Sequence, residues 1–318
     1  MTDATQPNST QPKPARSTFA RFWDSDIAWN FRHSWTARIS SVLILILFMA
    51  ALFAPLLATQ NPFDISQLFL LDSELPPAWV EGGDMRYLLG TDQQARDLYS
   101  SILYGLRLSL IVGFASVALA AVVGISLGLL GGFVGGMVDG AIMRVADILL
   151  SFPAILVALL VNGIARGVLP PERHADAAIW VLILAIGLTN WVQYARTVRG
   201  STMVERQKEY VQAARINGVS GMGIMLNHIL PNVMGPVLVI ATINLGMAVL
   251  TEATLSFLGV GMPATQPSLG TLIRIGNEYL FSGIWWVVIF PSVVLVTLVL
   301  AVNLLGDWLR DALNPKLR

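Results

Sequence analysis

Cysteine is absent from the 318-residue chain, which excludes disulfides, thiolate metal sites and cysteine nucleophiles. Lysine is almost absent as well: Lys13, Lys208 and Lys316 are the only three, and none follows a glycine. A phosphate loop of the Walker type needs Gly-Lys followed by Ser or Thr, so this chain cannot carry that nucleotide site. The three histidines, His33, His174 and His228, are scattered with no pair at helical ligand spacing, so no metal site is expected. The formal net charge of zero gives no electrostatic case for nucleic acid. Charge itself is scarce, at 13% of residues, where soluble proteins carry roughly 25%. Such a chain cannot cover a water-facing surface. The missing solvent is lipid.

What is present is apolar length. Hydrophobic residues make up 55% of the chain and the mean hydropathy is +0.66. Six apolar stretches of bilayer-spanning length stand at about 39–58, 108–131, 141–162, 178–198, 233–256 and 284–305. Backbone groups in lipid must bond within their own segment, so each reads as a helix and the fold class is an all-α membrane protein. Residues 1–38 are polar, with Pro7, Pro12 and Pro14, and read as a disordered tail before an uncleaved first span. Lys and Arg orient the chain. With the N-terminus inside, thirteen lie on the cytoplasmic side against six outside, which puts both tails, 1–38 and 306–318, in the cytoplasm. Trp180, Trp191, Trp285 and Trp286 fall near span ends, as interfacial anchors do.

Two outer segments and a few charges complete the inventory. The 59–107 stretch is polar and acidic and reads as a solvated cap, while the Gly- and Pro-rich 257–283 loop is placed to shape an outer mouth. Charges inside spans are costly and default to function. Arg144 and Asp147, three apart on the third span, are expected either to pair with each other or to form a gating contact. Glu252, near the outer end of the fifth span, is expected to snorkel to water or to face a pathway. Asn244 reads as interhelical glue.

The most informative segment is the polar 199–232 loop, within the 108–305 core. A connector needs only a few residues. Glu205 to Asn217 reads as a helix stopped by Gly218 in a left-handed conformation. Tyr210, Val211 and Ala214 share a face, with Ala213 and Gly218 alongside. Ser220 caps a second short helix to about Asn227, and Pro231 opens the next span. Small residues admit a close partner backbone, which suits insertion into a groove on a cytoplasmic protein. The same hairpin could equally pack back on the inner span ends.

The run Glu209-Tyr-Val-Gln-Ala-Ala-Arg-Ile-Asn-Gly218, ending in His228-Ile-Leu-Pro-Asn232, resembles the EAA loop of ABC importer permeases. It is most similar to the C-type permease subunit of the peptide/nickel (dipeptide and oligopeptide) transport family. Three further blocks agree in order: Leu89-Gly-Thr-Asp92 with Arg96-Asp97; Gly131 to Gly136 with Asp139, Arg144, Asp147 and Phe152-Pro153; and Leu255 to Gly261 with Pro267-Ser268. The sequence departs from the family's pattern at Gln212, where the loop usually has Glu, and at Leu269, where an aromatic is usual.

The resemblance implies a type I ABC importer permease fold in the bacterial inner membrane. It implies ATPase contact through the hairpin, for which Tyr210, Ala213, Ala214, Gly218, His228, Leu230 and Pro231 are the candidates; the charges inside spans, Arg144, Asp147 and Glu252, remain the pathway or gating candidates. It further implies a sister permease, two cytoplasmic ATPase subunits that bind ATP and Mg, and an external substrate-binding protein. No cofactor, metal or catalytic residue is expected in this chain.

Two rival readings remain at this level. An ion-coupled secondary transporter would show ionisable residues at mid-membrane and repeated halves. A serine hydrolase would use Ser126 in Gly124-Ile-Ser-Leu-Gly128, a nucleophile-elbow pattern that here lies inside an apolar helix with no base in sight. Gly259-Val-Gly-Met-Pro-Ala264 mimics a dinucleotide fingerprint, but Pro263 stands where a helix should continue.

Overall fold

The computed structural model describes residues 26–64, 66 and 68–313. Among them, regular structure is helical, with no strand beyond an isolated bridge between Thr91 and Asp97. In chain order the helices are α1 Asp26–His33, α2 Trp35–Leu52, α3 Ala54–Leu57, α4 Leu98–Val134, α5 Gly136–Leu150 and α6 Ala154–Val168. They continue with α7 His174–Glu205, α8 Glu209–Ile216, α9 Gly221–Ile224, α10 Leu230–Phe257, α11 Leu269–Glu278 and α12 Trp286–Leu313.

Local chemistry sets many of these ends. Ser34, Asp97, Ser220 and Ser268 each accept a hydrogen bond from a backbone N–H two or three residues into the following helix, satisfying a donor that the helix itself cannot. Ser34 starts α2 at Trp35, before the expected 39, and with α1 over Asp26–His33 the described part of the expected disordered tail is helical on either side of that cap. Residues 1–25 and 314–318 of the two expected tails lie outside the described residues. Proline sets the other boundaries. Pro55 ends the first span at Leu52 and begins the short α3, because its nitrogen has no proton to give. The third span, expected as one rod over 141–162, is two helices bent by 92° at Ser151–Pro153. Pro153 removes a helix donor and pushes Phe152 out of the α region.

The bundle is organised by α4 and α7. A methyl added at Gly124, Gly128 or Gly132 would come within 2.5, 2.6 and 2.8 Å of the carbonyl oxygens of Trp191, Ala195 and Arg199. Both series advance by four residues in the same direction, so the two helices are parallel and touch backbone to backbone. Small residues at one-turn spacing are how helices approach in lipid, where no hydrophobic drive separates protein from solvent. Ser126 bonds its own helix, donating to the Val122 carbonyl at 2.7 Å, rather than to the base that a hydrolase would need.

Parallel α4 and α7 require a single return crossing between them, so the bent pair α5–α6 acts as one span. Phe48 of α2 meets Phe114 of α4 at 6.2 Å between ring centroids, in an antiparallel pair. Contacts of Ser109 with Glu252 and of Gly113 with Val249 make α10 antiparallel to α4. Gly246 on Asn303 and Gly306 on Thr242 do the same for α12 and α10. Six crossings result, and both ends of the described chain share one face: Phe31 of α1 packs edge-on against Trp308 of α12.

The opposite face is tied by a buried polar knot within the expected solvated cap. Arg96 and Asp92 are both buried, with Nε donating to Oδ2 at 2.6 Å and Nη1 to the Ala264 carbonyl at 2.8 Å. Asp97 accepts from Ser100 N at 3.0 Å and from the Thr59 hydroxyl at 2.7 Å. Trp286 donates its indole N–H to Thr91 O at 3.0 Å. Trp286 and Trp191 are therefore buried packing residues rather than interfacial anchors; Trp180 and Trp285 remain exposed. The loop over 257–283 also holds an unexpected helix, α11, whose Leu269, Leu272 and Ile275 are buried against α4, α10 and α12. Leu269, in the place of the usual aromatic, is part of that core.

Two outcomes are expected. Gly128→Ala forces the α4–α7 backbones apart and costs about 1–3 kcal/mol, whereas Gly140→Ala, with open space at that position, is neutral or slightly stabilising. Thermal unfolding of the detergent-solubilised protein compares them. Arg96→Ala strands the Asp92 carboxylate in the interior and costs about 3–5 kcal/mol. Arg86→Ala, which breaks the pairs that an exposed guanidinium makes with Asp84 and Asp72, costs only a small fraction of that.

Candidate functional site

The hairpin between α7 and α10 grows directly from the end of α7. Helix α7 runs to Glu205, seven residues past the expected span end, so the helix expected from Glu205 begins only at Glu209. Arg206 turns the chain and donates from Nη1 to the Gly132 and Phe133 carbonyls at 2.9 and 3.2 Å. A cation at these terminal carbonyls complements the negative end of α4. Gln212 donates from Nε2 to the Arg206 carbonyl at 3.2 Å. An amide can make this bond and the family's usual carboxylate cannot.

Tyr210 clamps the hairpin to its two stems. Its hydroxyl donates to Glu205 Oε2 at 2.6 Å and accepts from Asn232 Nδ2 at 3.3 Å. Lys208 pairs with the other oxygen of Glu205 at 2.6 Å. Burial, followed by the hydrogen bond to Glu205, pushes the Tyr210 hydroxyl up to a pKa of about 12. The clamp therefore keeps its proton under all ordinary conditions.

Helix α8 ends in a Schellman turn. Val219 N–H bonds the Ala214 carbonyl and Gly218 N–H the Arg215 carbonyl, both at 3.0 Å. Gly218 sits at φ +75°, and a Cβ there would meet nothing within 4 Å. Backbone conformation, not crowding, demands glycine at this position. Ser220 then caps α9, as expected. Pro231 stands in the first turn of α10, as expected, and a π turn joins that helix to α9, so the span runs on from Gly221 to Phe257. A π turn over Met225–Ile229 widens the helix just before Pro231, where the ring would strike a carbonyl of a regular α-helix. The His228 carbonyl accepts instead from Asn232 Nδ2 at 2.6 Å.

The expected coupling residues divide into two faces. Val211 and Ala214 are buried in one cluster with Ile224, Ile229 and Val233, and Leu230 packs against it. Ala214 thus holds the hairpin to the bundle and is not available to a docking partner, contrary to the sequence expectation. Tyr210 and His228 are half-buried in the same seam, while Ala213, Gly218 and Pro231 are exposed. Two further large apolar residues of the hairpin that the sequence reading passed over are exposed, Ile216 at 86%, three residues on from Ala213, and Met222 of α9 at 61%. The three-residue step from Ala213 to Ile216, out of phase with Val211 and Ala214, is the helical signal that could have found Ile216.

The charged candidates also move. Arg144 and Asp147 do not pair. Asp147 Oδ1 accepts from Arg196 Nη2 of α7 at 2.6 Å, and Arg144 is exposed with no ion pair among the described residues. Asp139 is bonded by Arg199, also of α7. Eight residues along α5 thus match only three along α7, so α5 crosses it obliquely. Glu252 neither snorkels nor faces a pathway. It is fully buried, accepting from the Ser109 and Ser256 hydroxyls at 2.7 Å each. Asn244 is buried within the bundle, where its Nδ2 meets no hydrogen-bond partner among the described residues.

Comparisons with known proteins agree with this architecture. Residues 122–318 match the family model described as binding-protein-dependent transport system inner membrane component. Residues 21–77 match the N-terminal TM domain of oligopeptide transport permease C. A di/tripeptide transport system permease protein of Pseudomonas aeruginosa is 38% identical over 99% of this chain and 96% of its own length. The dipeptide transport system permease protein of Escherichia coli is 39% identical over 91% of each chain. The oligopeptide transport system permease protein of Bacillus subtilis is 34% identical over 92% of this chain and 90% of its own. In fold, a chain of the inward-facing MetNI methionine ABC transporter aligns with a TM-score of 0.50 at 21% identity, covering 67% of this chain and 94% of that one. The chain belongs to the binding-protein-dependent transport system inner membrane components, the permeases of ABC importers.

Proposed function

We propose that this chain is the C-type permease subunit of an ATP-driven importer of short peptides, and that its 199–232 hairpin receives the motion of a separate ATPase. The observation that carries this reading is the two-sided hairpin. One side is fastened to α4, α7 and α10 by Val211, Ala214, Arg206 and the Tyr210 clamp. The other presents Ala213, Ile216 and Met222 to water at the basic face of the membrane. An apolar patch on a short helix is what a groove on a partner recognises.

Relatives named as peptide permeases support the substrate class. The remaining assembly in this reading is a sister permease, two cytoplasmic ATPase subunits holding ATP and Mg, and an external binding protein. The chain itself binds no nucleotide or metal and changes no bond in its cargo. When the ATPases close, the hairpin moves with α7 and α10, and the pathway passes between inward-open and outward-open forms. Nucleotide can shift that equilibrium only through contacts that differ between the two forms. The family match and the relatives named as transport-system permeases favour this reading over the ion-coupled alternative.

Ile216→Asp tests the docking side. Its side chain touches water in the protomer, so folding should be unaffected. ATP-dependent uptake by the reconstituted complex should fall at least about tenfold, the loss expected when an apolar contact worth roughly 1.5–3 kcal/mol gives way to a charge. Gly218→Trp should act in the same direction, while Gly218→Asn, which tolerates the left-handed conformation, should retain transport. Unchanged uptake with Asp at 216 would rule out docking through this patch.

Tyr210→Phe tests the fastened side. Loss of the bond to Glu205 should weaken the hairpin by about 1–2 kcal/mol, read as faster amide exchange across residues 209–216 with the transmembrane helices unchanged. The intact bond has a defined pH window. Because folding raises the Tyr210 pKa from its ordinary value of 10 to about 12, its stabilisation is complete below pH 10 and lost as pH rises through 12.

A further inference from the structure

At the end of α7 farthest from the hairpin lies a cavity of about 370 Å³, within the range of small-ligand sites. It is formed where α6, the start of α7 and the segment after α10 converge. Arg166, His174 and Arg274 line it with Thr265, and apolar Leu169 and Val181 supply wall; no carboxylate is among its lining residues. Two permanent cations with no anion between them are unusual in a chain with so few charges.

Their hydrogen bonds leave capacity for a ligand. Arg166 Nη2 reaches only the Gly259 carbonyl, at 3.4 Å. Arg274 flanks the same residue: a Cβ on Gly259 would stand 3.7 Å from its Nη1. That Nη1 faces Glu278 at a loose 3.8 Å, and Nε is buried with no hydrogen-bond partner. His174 has Nε2 engaged by the Leu169 carbonyl at 2.9 Å. The nearest carboxylates on α7 and the turn before it, Asp176 and Glu172, do not line the cavity. Arg274 Nε is closed off from the cavity, but its Nη donors and those of the exposed Arg166 are not saturated, and planar guanidinium donors fit a carboxylate better than any other common anion except phosphate.

We propose that this cavity receives the terminal carboxylate of a short peptide, with the Arg166 and Arg274 guanidiniums as its anchors and the apolar wall taking the adjoining side chain. The inference deepens the peptide-import reading and rests on it. It places a selective site in the permease itself, on the face away from the ATPases.

The test uses the complete transporter in proteoliposomes with its binding protein. Uptake of a free-acid dipeptide is compared with uptake of the same dipeptide carrying a C-terminal amide. Any preference held by the binding protein enters wild type and variants alike, so it cancels in the comparison. In Arg166→Gln/Arg274→Gln the acid-to-amide ratio should fall at least about tenfold below wild type, the size of a lost charge-assisted bond. The Lys/Lys pair, which keeps both charges, should recover part of it. An unchanged ratio in a correctly assembled Gln/Gln complex overturns the proposal. So does a ratio that holds while the half-saturating concentration of binding protein rises, because the cavity then takes an acidic side chain of that protein. Wild-type complex that hydrolyses ATP but carries neither dipeptide would remove the peptide reading itself, and this proposal with it.

Discussion

The close parallel contact of α4 Leu98–Val134 with α7 His174–Glu205 is the constraint on which the rest of the structure depends. In lipid, apolar side chains gain nothing by leaving one oily surface for another, so association relies on fit. Glycine at 124, 128 and 132 lets carbonyls of one helix lie against the other's backbone. Their parallel sense then fixes the remaining topology. One return crossing must lie between them, and the bent pair α5–α6 is the only chain available to make it. The contact also ties the hairpin to both rods. The hairpin leaves from the last turn of α7 and is bonded by Arg206 to the last carbonyls of α4, so it cannot move independently of either rod.

Much of this was legible in the sequence because it depends on local rules. Apolar length gave the six crossings, Ser220 gave one helix start, and Gly218 gave a stop that its φ of +75° bears out. What escaped depends on partners distant in sequence. Glu252 looked like a lone charge because Ser109, which bonds it, is 143 residues away. Asp147 looked like the partner of Arg144 because three-residue spacing is visible in sequence and the approach of Arg196 from α7 is not. Hydropathy measures how oily a segment is and not its direction, so an apolar run hid the turn at Pro153. The reverse error hid α11, whose flanking Gly259, Gly261, Pro263 and Pro267 outweighed the amphipathic pattern of Leu269–Glu278.

The hairpin shows the same limit at finer grain. Ala213 and Ala214 are adjacent, and a family pattern carries both without distinguishing them. Helical geometry separates neighbours by about 100°, so only one can face the bundle. Val211 and Ile224 decide which: the cluster they form takes Ala214 and turns Ala213 outward with Ile216. A docking surface is therefore specified as much by the residues that hold its reverse side as by those it exposes.

Continuity of α7 joins the two ends of the protein. Its 32 residues form an unbroken helix of about 48 Å, longer than the roughly 30 Å core it crosses. At one end it becomes the hairpin; at the other, His174 is part of the cationic cavity wall. Helix α6, which brings Arg166, is separated from α5 by the break at Pro153, while α5 is pinned to the lower half of α7 by Asp139 and Asp147. The break at Pro153 leaves Arg166 on the half of that span which neither Asp139 nor Asp147 ties to α7. In the mechanism proposed above, binding outside can favour one arrangement of the hairpin inside only if the spacing of Arg166 and Arg274 around Gly259 differs between the two forms.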